Sequence, residues 1–183
     1  MKNLLSFVFE VLKIVVIALV IVVPVRYFLF QPFIVKGQSM DPNFSDGDYL
    51  IIDEISYRFR APERGEVIVF DAPNDPSSRY IKRIIGLPGE TIKIEGGKVF
   101  LFQDGKYQDL KEDKYLSSEV KTFGDVQTTL NSQEYFVLGD NRFVSADSRK
   151  FGILLRDKII GRVYLRAWPI SAFSKIESPS YSY

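Results

Sequence analysis

The chain has 183 residues, 46% of them apolar and 26% charged, with 24 Lys and Arg against 23 Asp and Glu and neither histidine nor cysteine. That length fits one globular domain with a tail. The missing residue types exclude a Ser-His-Asp triad, Cys-His proteases, thiolate or imidazole zinc sites, iron-sulfur clusters and disulfides, so hydrolytic chemistry would have to run on Ser, Thr, Tyr, Lys, Arg and carboxylates. A net charge of +1 gives no field for a polyanion, and beyond residue 30 the balance is 21 basic to 22 acidic groups, which argues against nucleic-acid binding.

From Ile14 to Val25 the chain is uninterruptedly apolar, and Leu4, Leu5, Phe7, Val8 and Phe9 extend that character on one side as Phe28, Leu29 and Phe30 do on the other. The uncharged part spans about 18 Å as a helix against a hydrocarbon core of about 30 Å, so a full span requires Glu10, Lys13 and Arg26 to snorkel to the interfaces. A cleaved signal segment would need small residues after its apolar core, yet Pro24 to Phe30 is bulky and aromatic. A buried core helix would carry a polar stripe at helical spacing, and residues 14–25 have none. An uncleaved membrane anchor over residues 1–30 is the expectation, with Tyr27, Phe28, Phe30 and Phe33 in an interfacial aromatic belt. Lys2 and Lys13 place the N-terminus in the cytoplasm and residues 31–183 outside by the positive-inside rule, while Arg26 and Lys36 on the other flank oppose it.

Beyond the anchor the chain reads as short strands divided by turn chemistry. Residues 33–37, 49–52, 66–70 and 80–85 are rich in β-branched and aromatic residues. Residues 91–94 and 98–102 flank Gly96-Gly97, and Asp104-Gly105 follows, which predicts two tight hairpins in succession. Residues 109–133 are polar and read as a surface insertion, residues 135–138 and 159–165 are two more strands, and 178–183 is a flexible tail. The expected fold class is mainly β, with antiparallel sheets in a domain over residues 31–177 on a single N-terminal transmembrane helix.

Three segments carry candidate chemistry. Ser39 lies in Gly37-Gln38-Ser39-Met40-Asp41-Pro42, where a turn either presents its hydroxyl as a nucleophile or simply bonds it to nearby backbone. Lys82 sits among apolar neighbours in Tyr80-Ile81-Lys82-Arg83-Ile84-Ile85-Gly86. It either snorkels from an edge or is desolvated, and a desolvated amine titrates low enough to take a proton from a serine. The polar run Gly139-Asp140-Asn141-Arg142-Phe143-Val144-Ser145-Ala146-Asp147-Ser148-Arg149 is either a hairpin loop with a solvated Asp147–Arg149 pair or a buttress for a site.

Together the three segments, with Gly47-Asp48-Tyr49-Leu50, Arg64 to Phe70 and Leu87-Pro88-Gly89, resemble the type I signal peptidases, membrane-anchored serine proteases with a Ser-Lys dyad. The resemblance runs from the anchor to about Arg166. It implies that Ser39 is the nucleophile, Lys82 the general base and Ser145 a hydroxyl orienting the amine, with Asp147 and Arg149 supporting the loop. It further implies that Phe33, Val35, Met40, Tyr80 and Ile81 wall two shallow substrate pockets. The implied substrates are signal peptides of exported preproteins, cut at the outer face of the cytoplasmic membrane, with the bilayer and the secretion translocon as partners and no cofactor, metal or nucleic acid. Two positions depart from the family pattern: Asn43 replaces a usual threonine, and Gly37 replaces a hydroxyl residue that in many members assists the oxyanion hole, leaving the Ser39 backbone N–H as donor, with or without a second backbone donor. A non-catalytic relative acting as a membrane assembly factor would lack Ser39 or Lys82, and both are present. A self-cleaving cytosolic regulator would carry a helical DNA-binding unit where this chain has its apolar segment.

Overall fold

The structure, a computed structural model, describes residues 2–28, 30–179 and 181, and of residues 2, 3, 5, 21, 23–28, 30 and 76 the backbone alone. In chain order the elements are α1 (Lys2–Phe28), β1 (Phe30–Ile34), β2 (Tyr49–Asp53), β3 (Val67–Ala72), β4 (Asp75–Gly86), β5 (Thr91–Glu95), β6 (Lys98–Gln103) and β7 (Lys106–Asp109). Then follow β8 (Val126–Thr129), β9 (Glu134–Leu138), α2 (Ser148–Phe151), β10 (Leu154–Leu155), β11 (Ile159–Trp168) and β12 (Ser174–Lys175). One sheet has the order β1-β2-β11-β3-β4-β9-β10, with β12 also on β11, and a smaller one has the order β7-β6-β5-β8. The pairings are antiparallel throughout.

The two faces of the large sheet can be read along β3. Val67 and Val69 join Val35, Met40, Phe44, Leu50, Ile52, Ile81 and Val163 in one apolar cluster. Ile68 and Phe70, pointing the other way, join Tyr57, Ile84, Tyr135, Val137, Leu154 and Ile159 in a second. A third cluster, from Ile85 to Leu138, fastens the small sheet onto β4 and β9. Both expected hairpins form: Gly96-Gly97 and Asp104-Gly105 each have positive φ at both central residues, the conformation that matches strand twist.

Two sequence expectations change here. Part of the supposed surface insertion is sheet, because Val126–Thr129 pairs with β5, and Leu110, Leu116, Thr122 and Leu130 are buried beside it. The described part of the tail is packed, since the Tyr181 hydroxyl donates to that of Tyr115 at 3.1 Å; residues 180, 182 and 183 lie outside the described residues.

α1 is a helix of 27 residues, and its described side chains, at Leu4, at 6–20 and at Val22, are all exposed. Among the described residues no helix is long and apolar enough to cross a membrane. The side chains of Tyr27, Phe28 and Phe30, expected in an aromatic belt, lie outside those described, and Phe33 is half-buried against the first apolar cluster instead.

Candidate active site

The loop between β1 and β2 carries Ser39 and is stapled at its base. Val35 N–H donates to Asp48 O and Gly47 N–H to Val35 O, each at 2.9 Å, and Gly37 N–H donates to Asp46 Oδ1 at 2.7 Å. Met40 and Phe44 drive into the core from the same loop, so the residue after the serine is an anchor. Asn141 N–H donates to the Ser39 carbonyl at 3.0 Å, fixing the serine's backbone from the opposite side.

Lys82 lies in the middle of β4, opposite Ile68 in the register, and is only 3% exposed. Its Nζ is 2.8 Å from both Ser39 Oγ and the Ile81 carbonyl, and 5.4 Å from the Tyr80 ring centre. Burial lowers its pKa to about 8, against the opposing pull of Asp147 and Asp140. The amine therefore deprotonates well below the range of a free lysine, next to a hydroxyl it can deprotonate.

The polar run after β9 is a buried brace. Asp147 has no exposed surface; its carboxylate takes Arg149 Nε and Nη2 at 2.8 Å each and the Gly139 N–H at 3.1 Å, and it caps α2. Burial alone would raise the Asp147 pKa, but the bonds and charge of Arg149, with Gly139 N–H and the nearby Ser145, outweigh it and hold the carboxyl below its ordinary range. Arg149 Nη2 also donates to the Arg142 carbonyl at 2.8 Å. This pair is sequestered, unlike a solvated surface pair.

Ser145 lies beside Gly139 and the Ser39 carbonyl. Its Oγ is buried near the Asp147 carboxylate, whose pKa it helps to lower, though without a hydrogen bond of good geometry, and Lys82 Nζ makes its contacts with Ser39 and Ile81. Gly139 explains how closely the pieces approach: a Cβ there would collide with Ser145 Oγ and the Ser39 carbonyl.

A cleft of about 380 Å³ opens over the dyad, lined in part by Phe33, Tyr80, Ile81, Val144 and Ala146. Three of the five expected wall residues are there. Val35 and Met40 are not, because both are fully buried in the core cluster that anchors the Ser39 loop.

Several participants escaped the sequence reading. Arg83, next to Lys82 but pointing to the other side of β4, grips Asp140 through Nε at 2.8 Å and Nη2 at 2.6 Å. Asn43 Nδ2 donates to Asp140 Oδ2 and to the Tyr115 carbonyl, both at 2.8 Å, so the departure at this position creates a bond to the insertion. Arg142, fully buried, donates to Glu112 Oε2 at 2.7 Å, to Thr122 and to Gly139 O at 3.0 Å. The arginines inside otherwise apolar or densely polar runs were the available signal; their partners were not.

Residues 8–168 match the family described as signal peptidase, peptidase S26. The chain belongs to this family. Among its signal peptidase relatives, signal peptidase IB of Staphylococcus aureus is 35% identical over 97% of this chain and 96% of its own length. The probable signal peptidase I-2 of Synechocystis is 36% identical over 88% of this chain and 73% of its own. A crystal structure of a signal peptidase I from Enterococcus faecalis superposes with a TM-score of 0.48 at 30% identity, covering 57% of this chain and 97% of that one.

Proposed function

We propose that this signal peptidase family member is a serine endopeptidase that removes signal peptides from exported preproteins by a Ser39–Lys82 dyad. The carrying observation is the 2.8 Å approach of Lys82 Nζ to Ser39 Oγ, with the amine buried. When Lys82 is neutral, the Ser39 hydroxyl donates to it; Oγ attacks the scissile carbonyl carbon as its proton passes to Nζ. The resulting ammonium returns that proton to the leaving amine as the C–N bond breaks, and water, deprotonated by the same amine, hydrolyses the acyl ester. The Ser39 backbone N–H is the oxyanion donor in this reading, since Gly37 has no side chain to contribute. Ser145, whose buried hydroxyl lies beside the Ser39 loop and the Asp147 carboxylate, is the group available to the amine once it gives up one of its present contacts.

An extended substrate would lie in the cleft between Phe33 and Tyr80–Ile81, with room for small side chains before the cut. The anchor reading rests on the apolar run Ile14–Val25 and on a helix that, at 1.5 Å per residue, is about 40 Å long and leaves its described side chains exposed. It makes the lipid bilayer a partner and puts the catalytic domain at the outer membrane surface, where the end of a substrate's apolar segment emerges. Cleavage of a generic preprotein by wild type, Ser39→Ala and Lys82→Ala tests the reading: both variants should stay folded and lose activity. Full activity of purified Lys82→Ala would remove the dyad, and a wild type unable to cleave would favour the assembly-factor alternative.

A further inference from the structure

The C-terminal segment ends far in sequence from the dyad, yet it closes over the strand that carries the base. Pro179 and Tyr181 lie against Gly65, where an added Cβ would meet Pro179 Cδ at 2.8 Å and Tyr181 Cε2 at 2.9 Å. Gly65 has φ of +85°, and its carbonyl accepts from Arg83 Nη1 at 2.8 Å. The Tyr181 ring meets Tyr115 edge-on at 6.3 Å between centres, and the two hydroxyls are 3.1 Å apart. Tyr115 in turn lies 4.1 Å beneath the Arg83 guanidinium, and its hydroxyl donates to Glu112 Oε1 at 2.5 Å.

We infer that Tyr181 is a positioning residue for the dyad, acting through Tyr115 to keep the Arg83–Asp140 clamp dry. Arg83 is the neighbour of Lys82 on β4, and Asp140 precedes Asn141, whose N–H holds the Ser39 carbonyl. The clamp therefore joins the strand that carries the base to the loop that holds the nucleophile. A bidentate ion pair keeps its geometry best where water cannot compete for either partner. Tyr115 covers one side of Arg83, and Tyr181 backs Tyr115. A cavity of about 470 Å³, lined in part by Asn43, Arg83, Tyr115 and Pro179, already borders the arginine on this side, so loss of the tail would widen the access of water to the pair. Among the described residues, the lining of the substrate cleft over Ser39 does not include Pro179, Tyr181 or Tyr115, so Tyr181 would act on the dyad only through its neighbours.

This inference rests on the dyad reading. The test measures kcat and KM of the full chain for one preprotein in Tyr181→Ala, Tyr181→Leu, Tyr115→Ala and the Tyr181→Ala/Tyr115→Ala double variant, with melting temperatures on the same samples. Loss of sub-ångström alignment should lower kcat roughly tenfold in Tyr181→Ala while KM stays within about twofold. The double variant should be no slower than Tyr115→Ala alone, because both changes remove one path. Wild-type kcat in folded Tyr181→Ala, a change confined to KM, or additive losses in the double variant would each overturn the role. Should the alanine variant fail to fold, Tyr181→Leu, which keeps apolar volume against Gly65 but neither ring edge nor hydroxyl, decides the matter by the same criteria. Ser39→Ala and Lys82→Ala run alongside separate the two claims. If both are inactive the dyad stands whatever Tyr181 does, and if Lys82→Ala is active the inference falls with the dyad.

Discussion

In the proposed dyad Lys82 meets two opposed demands, since the burial that would make its amine a usable base also penalises its charge. With the pKa lowered from 10.5 to about 8, the amine is protonated and inert as a base at acid pH and becomes competent as pH rises. The rate constant kcat/KM should therefore climb with unit slope below about pH 8 and level off above it, where chemistry limits the rate; a profile flat from pH 6 to 9 would contradict this. The stability consequence has the same origin. Between pH 8 and 10.5 the unfolded chain holds a proton that the folded chain has released, so stability rises with pH there, and below pH 8 the full penalty is present. Lys82→Met removes the charge and should raise stability at pH 7 by up to roughly 3 kcal/mol, a gain that fades by about pH 10.5. Thermal unfolding of both proteins at pH 7 and 10.5 checks it. Ser39 and Lys82 stand out in the sequence by their neighbours, a glycine-bounded turn for one and an apolar strand for the other, but those neighbours leave each open between a chemical and a structural role, and only the resemblance of the combined motifs to the type I signal peptidases implies a dyad. Which apolar neighbour faces the cleft was not legible. Met40 adjoins the nucleophile in sequence, yet the loop spends it as an anchor, and sequence adjacency carries no direction.

At the scale of elements, the strand pattern and the hairpins could be read from β-branched runs and turn residues, whereas residues 109–133 could not. Glu112, Tyr115 and Thr122 have the composition of a solvated loop, and only their pairing with Arg142 and Arg83 makes burial tolerable. A polar residue satisfied by a distant partner looks in sequence like one satisfied by water. That pairing is also a point of vulnerability. Arg142→Met should leave the Glu112 carboxylate buried without its main cation, a situation that costs about 3–5 kcal/mol, or roughly 10 °C in melting temperature for a chain of this size. Adding Glu112→Gln should recover much of that loss by removing the stranded charge. Calorimetry on the single and double variants gives the answer, and no recovery in the double variant would mean that packing by the arginine, not charge compensation, is what the brace supplies.

For the whole molecule, the decisive feature is that, among the described residues, the buried apolar ones begin at Val35. The three core clusters draw on the strands, the Ser39 loop and the insertion, and among the described side chains none includes a residue of α1. Folding of the catalytic domain should then be independent of the helix, which in the anchor reading sets where the domain stands. A variant lacking residues 1–29 should unfold within a few degrees of the full chain and cleave a short soluble peptide at a similar rate, since the cleft and its braces are intact. Against a preprotein embedded in vesicles, the full chain holds enzyme and substrate on one surface, at an effective concentration far above that of the shortened form in bulk solution. The shortened form should be slower there by at least about tenfold, and restoring the helix should restore the difference. A truncated protein that cleaves the vesicle-bound preprotein as fast as the full chain would show that α1 does not bring the domain to the membrane. Equal loss on the soluble peptide would instead make the helix part of the catalytic fold, against the distribution of its core.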